Sequence, residues 1–174
     1  MLKKSLDNFN DIFNKFDKTW AIVTAGDRNI GFNGMTVSWG GIGILWNKPV
    51  CYIFIRHSRN TFNFIEKSDS VSVSFLDEKY RNALNVFGTL SGKDVNKFEK
   101  ANLHPTLDVD MNEYYIAEAH QVLKCKKLYG IDLTLDNMPD NIKNKMYSTE
   151  DIHRMYVLEI KQYLDDEEWC KQLS

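Results

Sequence analysis

The sequence predicts a small β-barrel with peripheral helices, a fold that is mainly β. Short strand-like segments alternate with short helical segments in the first half of the chain. Longer extended runs follow at 114–119, 121–128 and 155–164. A doubly wound parallel sheet would place longer helices between its strands. No Gly-x-Gly-x-x-Gly follows the first strand and no Walker-type phosphate loop occurs, so Rossmann-type nucleotide binding is not expected.

The composition is that of an ordinary globular protein. Of the 174 residues, 43% are hydrophobic and 26% are charged, so we expect one domain over 1–174 and no disorder. The net charge is -2, whereas a nucleic-acid-binding protein is usually basic, so nucleic-acid binding is not expected. No apolar run approaches the length of a membrane span, and the first residues lead into an amphipathic segment rather than a signal sequence.

The cysteine pattern favours a reducing environment. Cys51, Cys125 and Cys170 are widely spaced, odd in number and form no Cys-x-x-Cys pair. Such cysteines are typical of reduced thiols, so a cytoplasmic protein is expected. Each thiol is expected to pack in the interior rather than to act in catalysis.

Apolar periodicity predicts an N-terminal amphipathic helix over 2–17, because apolar residues recur there at spacings of three and four. The barrel is expected to occupy about 19–164. Its first strands are predicted at 20–25, 35–39 and 50–56. The glycine-rich stretch 40–43 is expected to be a turn or bulge between two of them.

The middle of the chain predicts short helices around one more strand. A helix over 61–67 should follow an asparagine or serine cap. Alternating apolar and small polar residues predict a strand over 71–75 with one buried face. A helix over 80–87 is expected to end at Gly88. The remaining helices are predicted at 95–100, with Asp94 as cap, at 140–146, and at 165–170 in the charged C-terminal segment 165–174.

One short turn carries two arginines and two hydroxyls. Arg56, Ser58, Arg59 and Thr61 follow a buried-looking strand and stand at the mouth of a helix. Forked guanidinium donors and unpaired helix amides both favour phosphate, so these residues predict a dianion socket. The alternative is a surface turn with solvated arginines. His57 alternates to the opposite strand face and is not expected to contact the ligand.

The segment before that socket suits a flat aromatic ring, and the two halves together suggest a flavin nucleotide. Its candidate contacts are Asn33, Met35, Thr36, Val37, Ser38 and Trp39. Backbone amides and the Thr36 and Ser38 hydroxyls would stabilise negative charge on a reduced flavin. The alternative is an edge strand with an aromatic cross-strand partner. Trp39 or Trp46 is expected either to lie beside the ring or to fill the core.

A later loop supplies three further candidates. Ser91, Gly92 and Lys93 either close the phosphate or ribityl side, from the same or the neighbouring subunit, or belong to a helix-capping loop. His120 and His153 lack spaced carboxylate or cysteine companions, so no metal site is predicted. His153 is expected to make a structural hydrogen bond.

Four motifs, in order, resemble the flavin reductase-like, FMN-binding split-barrel family, and its flavoredoxin-type members most. They are Asn33-Gly34-Met35-Thr36-Val37-Ser38-Trp39, Lys48-Pro49, Arg56-x-Ser58-Arg59-x-Thr61 and Ser91-Gly92-Lys93-Asp94, within a match over about 20–160. Many relatives carry Pro-Pro at Lys48-Pro49, which changes a loop. Several carry arginine at Lys93, where lysine offers only a point charge to a phosphate.

The resemblance implies a Greek-key split β-barrel, usually a homodimer, with FMN bound non-covalently near the subunit interface. It also implies that NADH, NADPH or a redox partner protein passes electrons through the flavin to a small acceptor or carrier. The chemistry would be the cofactor's, without a catalytic side chain. Two alternatives stay open: a flavin-binding electron-transfer protein without reductase turnover, and a barrel that binds another anionic aromatic ligand.

Overall fold

The computed structural model describes residues 2–4, 11–149 and 151–166, and these form an antiparallel sheet with helices around it. The strands are β1 Leu2–Lys4, β2 Ala21–Asp27, β3 Gly31–Val37, β4 Gly40–Leu45, β5 Lys48–Arg56, β6 Ser70–Phe75, β7 Pro105–Asp108, β8 Glu113–Ile116, β9 Gln121–Asp132 and β10 His153–Asp165. The helices are α1 Ile12–Asn14, continued by a π-helical turn Lys15–Thr19, α2 Asn60–Lys67, α3 Arg81–Thr89 after a 3-10 turn Glu78–Tyr80, α4 Lys97–Ala101 and α5 Asp140–Met146.

The main sheet has eight strands, and its order does not follow the sequence. Seven strands run β3-β2-β6-β9-β10-β5-β4, and β1 pairs with β10. Every pairing is antiparallel. β7 and β8 form a separate hairpin. The predicted mainly β class with peripheral helices is confirmed.

Both faces of the sheet are packed, because alternate residues of one strand enter different cores. In β2, Ala21 and Val23 belong to the inner core. Ile22, between them, belongs to an outer core with Leu84 and Phe87 of α3. Burial on both faces of β2 fixes the strand's register, because a slip of one residue would exchange the two sets of side chains.

The predicted alternation in 71–75 is real, but its polar face is also buried. Ser72 and Ser74 are fully buried under β8. The Ser72 hydroxyl donates to the Tyr114 carbonyl at 2.7 Å, and the Ser74 hydroxyl oxygen accepts from the Ile116 amide at 3.3 Å. Hydrogen bonds to a neighbouring strand allow small hydroxyls to be buried at little cost.

The prediction of one N-terminal helix over 2–17 is wrong at its start. Leu2–Lys4 is a strand, with Lys3 opposite Leu164 of β10. Backbone pairing with a long strand outweighs the local apolar period there. Helical structure begins at Ile12 and extends to Thr19. The predicted part over 5–10 lies outside the described residues.

The stretch 40–43 is not a turn but part of β4, which pairs along β5. The turn lies at Trp46 and Asn47, whose φ angles are 51° and 57°. Two residues with positive φ make the tight connection that suits the strand twist. Gly40 allows the Phe16 ring to pack closely against β4, because a Cβ at this position would lie 2.4 Å from that ring.

Several element boundaries differ from those predicted. Helix α2 has Arg59 as N-cap and no side-chain cap. Helix α3 passes through Gly88 and ends at Thr89. Helix α4 is capped by Asn96, not Asp94, through the amides of residues 98 and 99. The predicted helix over 140–146 is confirmed as α5.

At the C-terminal end, β10 extends to Asp165, so the charged segment begins as strand. Most of it, 167–174, lies outside the described residues. None of the described helices is long and apolar enough to cross a membrane.

Candidate functional site

Two segments that the sequence analysis named as candidate ligand contacts meet at one cavity, which we call the α2 cavity. It measures about 160 Å³ and lies between the first turn of α2 and the end of α3. Its lining residues are Ser58, Arg59, Asn60, Thr61, Thr89, Leu90, Ser91, Gly92 and Lys97. The structure therefore brings Ser58, Arg59 and Thr61 together with Ser91 and Gly92.

Arg59 supplies a half-buried cation to this cavity. Its guanidinium donates to the carbonyl oxygens of Gly88 at 2.8 Å and Phe87 at 3.0 Å. Burial lowers the pKa of Arg59, and the charge of Asp151 opposes that effect. A guanidinium has five N–H donors and stays protonated in proteins, so donors remain for a ligand.

Lys97 is a second cation that the sequence analysis missed. Its side chain is only 3% exposed. The ammonium donates to the Gly34 carbonyl and lies 5.2 Å from the centre of the Phe87 ring. Burial, together with the charge of Arg59, lowers the pKa of Lys97 to about 8. Within the described ranges, neither Lys97 nor Arg59 has a carboxylate oxygen within 4.0 Å.

A glycine and an asparagine shape one wall of the cavity. The Asn33 amide nitrogen donates to the buried Thr61 hydroxyl oxygen at 2.9 Å. A Cβ on Gly92 would lie 2.2 Å from the Asn33 side-chain oxygen, so a larger residue would displace Asn33. The Ser91 hydroxyl oxygen accepts from the Lys93 amide at 3.2 Å. Lys93 lines a neighbouring cavity rather than the α2 cavity.

Arg56 does not reach the α2 cavity. Its guanidinium donates to the Met146 carbonyl at 2.9 Å and to the Asp151 carbonyl, and lies 5.4 Å from the centre of the Tyr147 ring. The Ser58 hydroxyl donates to the Asp151 carboxylate at 2.6 Å. Arg56 and Ser58 thus attach Met146 and Asp151 to the end of β5. Sequence reasoning expected both to be phosphate ligands, and only Ser58 lines the α2 cavity.

His57 does not line the α2 cavity. Its Nε2 lies 2.8 Å from the Asp132 carboxylate, and its ring centre is 4.6 Å from that of Phe62. Asp132 also accepts from Arg154 at 2.8 Å. His57 therefore belongs to a surface network.

Most side chains of 33–37 contact other residues of the chain. Met35 and Val37 are buried in the inner core. The Thr36 hydroxyl donates to the Leu84 carbonyl of α3 at 2.5 Å. Among the described strands, β3 pairs only with β2, so its other edge has no strand partner. Any ligand contact from residues 35 to 37 would therefore use the backbone of that edge.

Ser38 and Trp39 open onto a second cavity, which we call the Trp39 cavity. It measures about 610 Å³. Its lining residues are Ile12, Phe13, Phe16, Asp17, Ser38, Trp39, Gly40, Gly41, Ile42, Phe54 and Leu133. At about 3.3 Å per strand residue, Asn33 and Ser38 are roughly 16 Å apart along β3. The strand thus leads from the α2 cavity to the Trp39 cavity.

A neutral histidine supports Trp39. The ring centres of Trp39 and His153 are 4.8 Å apart. His153 is buried, and its Nδ1 lies 2.9 Å from the Tyr147 hydroxyl. Burial and the charge of Arg56 lower the pKa of His153 to about 4. The structural hydrogen bond that the sequence suggests for His153 is therefore present.

Trp46 lies apart from the other candidates. It occupies the tip of the β4–β5 hairpin, and its ring centre is 6.2 Å from that of Tyr129. Strand β5 separates this tip from Arg56 by roughly 26 Å at about 3.3 Å per residue. Trp46 neither fills the core, being 57% exposed, nor lines either cavity.

Comparison with known proteins identifies the family of the chain. A family model described as the flavin reductase like domain matches residues 13–167. A search of curated proteins gave no match. Among solved structures, the chain resembles an FMN-binding domain of a flavin reductases-like enzyme from Shewanella baltica, with a TM-score of 0.69 and 13% identity. That alignment covers 96% of this chain and 78% of the other.

Two further solved structures show the same fold. A flavoredoxin of Desulfovibrio vulgaris gives a TM-score of 0.67 at 20% identity, covering 96% of this chain and 78% of the other. An NADH:FAD oxidoreductase of Streptomyces globisporus gives 0.65 at 17% identity, covering 88% and 78%. The predicted split-barrel fold is confirmed, and a general flavin-related redox function follows from the family match. The chain belongs to the flavin reductase-like domain family.

Proposed function

We propose that the protein binds FMN non-covalently and is an FMN-dependent oxidoreductase. Electrons would pass from NADH, NADPH or a redox partner protein to a small acceptor or carrier. The observation that carries this proposal is the pair of cations, Arg59 and Lys97, which line the α2 cavity without an ion-paired carboxylate among the described residues. Two such charges, held partly out of water, favour a dianion, and the FMN phosphate carries up to two negative charges.

The other walls of the α2 cavity also fit a phosphate. Helix α2 has no side-chain cap, so the amides of its first turn at Asn60 and Thr61 are available to an anion. Gly92 leaves space that a side chain would fill. Ser91 adds a hydroxyl on the facing loop. These groups would hold the phosphate and fix the position of the whole cofactor.

The ring would lie toward Ser38 and Trp39, along the free edge of β3. FMN, when bound, supplies reversible one- and two-electron chemistry. The chain's part is to orient the ring, to exclude water and to offer backbone donors to its polar edge. The Trp39 ring, which would lie beside the flavin, contacts the ring of His153. His153 stays neutral above its lowered pKa and adds no charge beside the ring.

We propose a homodimer that buries the outer face of β5, β10 and β9. Alternate residues Cys51, Ile53 and Leu158 point into the inner core. The opposite face is also apolar, where a solvated strand would be polar. It carries Tyr52, Phe54, Tyr129, Ile131 and Met155. Phe54 also lines the Trp39 cavity, so this interface would bring the second subunit close to the ring.

We also propose a cytoplasmic location, because Cys51 and Cys125 are buried free thiols. Burial raises the pKa of the Cys51 thiol to about 12, which keeps it protonated and unreactive.

The phosphate site is tested by titrating FMN and riboflavin while following flavin fluorescence. Riboflavin has the same ring without the phosphate. We expect Arg59→Ala to weaken FMN binding at least tenfold, about 1.4 kcal/mol, and to leave riboflavin binding unchanged. The matched variant is Arg56→Ala. Arg56 does not line the α2 cavity but contacts Tyr147, so any loss of affinity should be the same for FMN and for riboflavin. A loss in Arg56→Ala that is confined to FMN would return Arg56 to the phosphate site, and a protein that binds no FMN would refute the proposal.

Reduction under anaerobic conditions separates the enzyme from an electron-transfer protein. Rapid bleaching of bound flavin by NADH or NADPH would support reductase turnover. Bleaching by dithionite or a partner protein alone would support the electron carrier. The same spectra identify the donor.

A further inference from the structure

We infer that the Trp39 cavity binds an uncharged, flat aromatic carbonyl compound of the quinone class beside the flavin ring. This inference deepens the proposed function, because it names a second ligand of the same site. It concerns the binding of this second ligand, and it rests on the size, charge and aromatic surface of the Trp39 cavity.

The size of the cavity leaves room for more than one flat molecule. Ligand pockets usually measure about 300–1,000 Å³. The Trp39 cavity, at about 610 Å³, is nearly four times the α2 cavity at about 160 Å³. A ring bound along the edge of β3 would occupy the wall near Ser38. The walls formed by Phe13 and Leu133 would remain for a second molecule.

The charges on the walls select against an ionic ligand. Among the described lining residues, the only charged side chain is Asp17, and its carboxylate is 2.6 Å from the Lys18 ammonium. No described arginine or lysine lines the cavity, in contrast to Arg59 and Lys97 in the α2 cavity. Moving a charge from water to an apolar wall without a partner is costly. A neutral ligand is therefore favoured.

The remaining groups favour a flat ring with an acceptor oxygen. Phe13 is 87% exposed and Trp39 is 38% exposed, so aromatic surface is available for stacking. The Ser38 hydroxyl makes no hydrogen bond to any other described residue, so it can donate to a carbonyl. One polar donor in an apolar cavity fixes a ligand's orientation. A quinone combines a neutral ring with such an acceptor.

The test compares two probes that share one ring and differ in charge. Oxidised, FMN-loaded protein is dialysed to equilibrium against 1,4-naphthoquinone or its 2-sulfonate. We expect the neutral compound to bind at least tenfold more tightly, because the sulfonate would lose water without gaining a partner. Equal affinities would overturn the inference. Failure of both probes would also overturn it, and would be the result if a second copy of the chain filled the cavity.

A substitution at Gly41 locates the binding. Gly41 lines the cavity, and a Cβ there would meet no atom within 4 Å, so a side chain can begin there without displacing neighbours. We expect Gly41→Lys to reduce the preference for the neutral probe about fivefold by offering the sulfonate a cation. Gly41→Met, of similar length and without charge, should leave the preference unchanged. The same preference in both variants would place binding elsewhere and refute the inference.

The two proposals fail in distinguishable ways. A protein that does not quench FMN fluorescence refutes the proposed function. A protein that binds FMN but shows no selectivity between the naphthoquinones refutes only the present inference.

Discussion

The side-chain amide of Asn33 donates a hydrogen bond to the Thr61 hydroxyl oxygen at 2.9 Å, and both side chains are buried. This bond joins β3 to the first turn of α2. Because Gly92 packs against the same Asn33 side chain, the bond also sets the wall of the α2 cavity. One polar contact therefore links the strand, the helix and the loop at the wall of the α2 cavity.

Replacing the Thr61 hydroxyl should cost both stability and FMN affinity. Thr61→Val keeps the shape but leaves the buried Asn33 amide without its acceptor. Such a loss costs about 1–3 kcal/mol, measurable by urea unfolding. Thr61→Ser keeps the hydroxyl and is the control, with an expected cost of about 0.8 kcal/mol for the missing methyl. Equal stability of the two variants would show that the hydroxyl does not support Asn33.

Lys97 should make both stability and FMN binding depend on alkaline pH. Its pKa is about 8 in the folded protein, below the usual 10.5. Between these values the unfolded chain binds more protons, so stability rises with pH across that window. FMN affinity should fall over the same range, because the free protein loses the ammonium that attracts the phosphate.

Lys97→Met is the comparison for both effects. In this variant the rise in stability above about pH 8 and the fall in FMN affinity should both be smaller than in the wild type. Riboflavin titrations should show little dependence on this lysine. If wild type and variant have the same pH profiles, Lys97 does not titrate in the proposed way.

His153 should reduce stability in mild acid. Its pKa is about 4 in the folded protein, against a usual 6.5, because it is buried and near Arg56. The unfolded chain therefore binds more protons between these values, and stability falls as the pH drops from 6.5 to about 4. Thermal unfolding of His153→Gln should show a shallower fall. An unchanged slope would mean that other groups dominate the acid response.

A charge on the proposed interface should separate the subunits. Ile131, on the outer face of β9, is 43% exposed, and Ile142 on α5 is 44% exposed. We expect Ile131→Glu to weaken dimerisation at least tenfold, because a buried carboxylate would have no partner. Ile142→Glu, a change of the same type at similar exposure, should leave the dimer intact. Sedimentation velocity measures both, and a wild-type monomer would refute the interface.

Local sequence patterns were sufficient to predict those helices and strands whose own residues favour that structure. The alternation in 71–75 predicted β6, and the extent of α5 was predicted to the residue. The glycine-rich stretch 40–43 misled because glycine disfavours strands in general. There the determining facts were the pairing with β5 and the close approach of Phe16 to Gly40.

The site was harder to predict because its roles depend on distant partners. Arg56 and Arg59 are the same residue type in one turn. One donates to carbonyls at 146 and 151, and the other to carbonyls at 87 and 88. Nothing in the turn itself distinguishes them. Lys97 stands four residues after Lys93, yet only the fold shows which of the two is buried.

The C-terminal end of α3 lies beside the α2 cavity, and Arg59 covers two of its last carbonyl groups. That end of a helix carries a partial negative charge that would repel an incoming phosphate. Loss of Arg59 would thus expose these carbonyl groups, which repel an anion, and would also remove the positive charge that attracts it. Lysine, with a single ammonium, could not shield both carbonyls in the same flat geometry. Arginine at position 59 therefore suits the C-terminal end of α3 as well as the proposed phosphate.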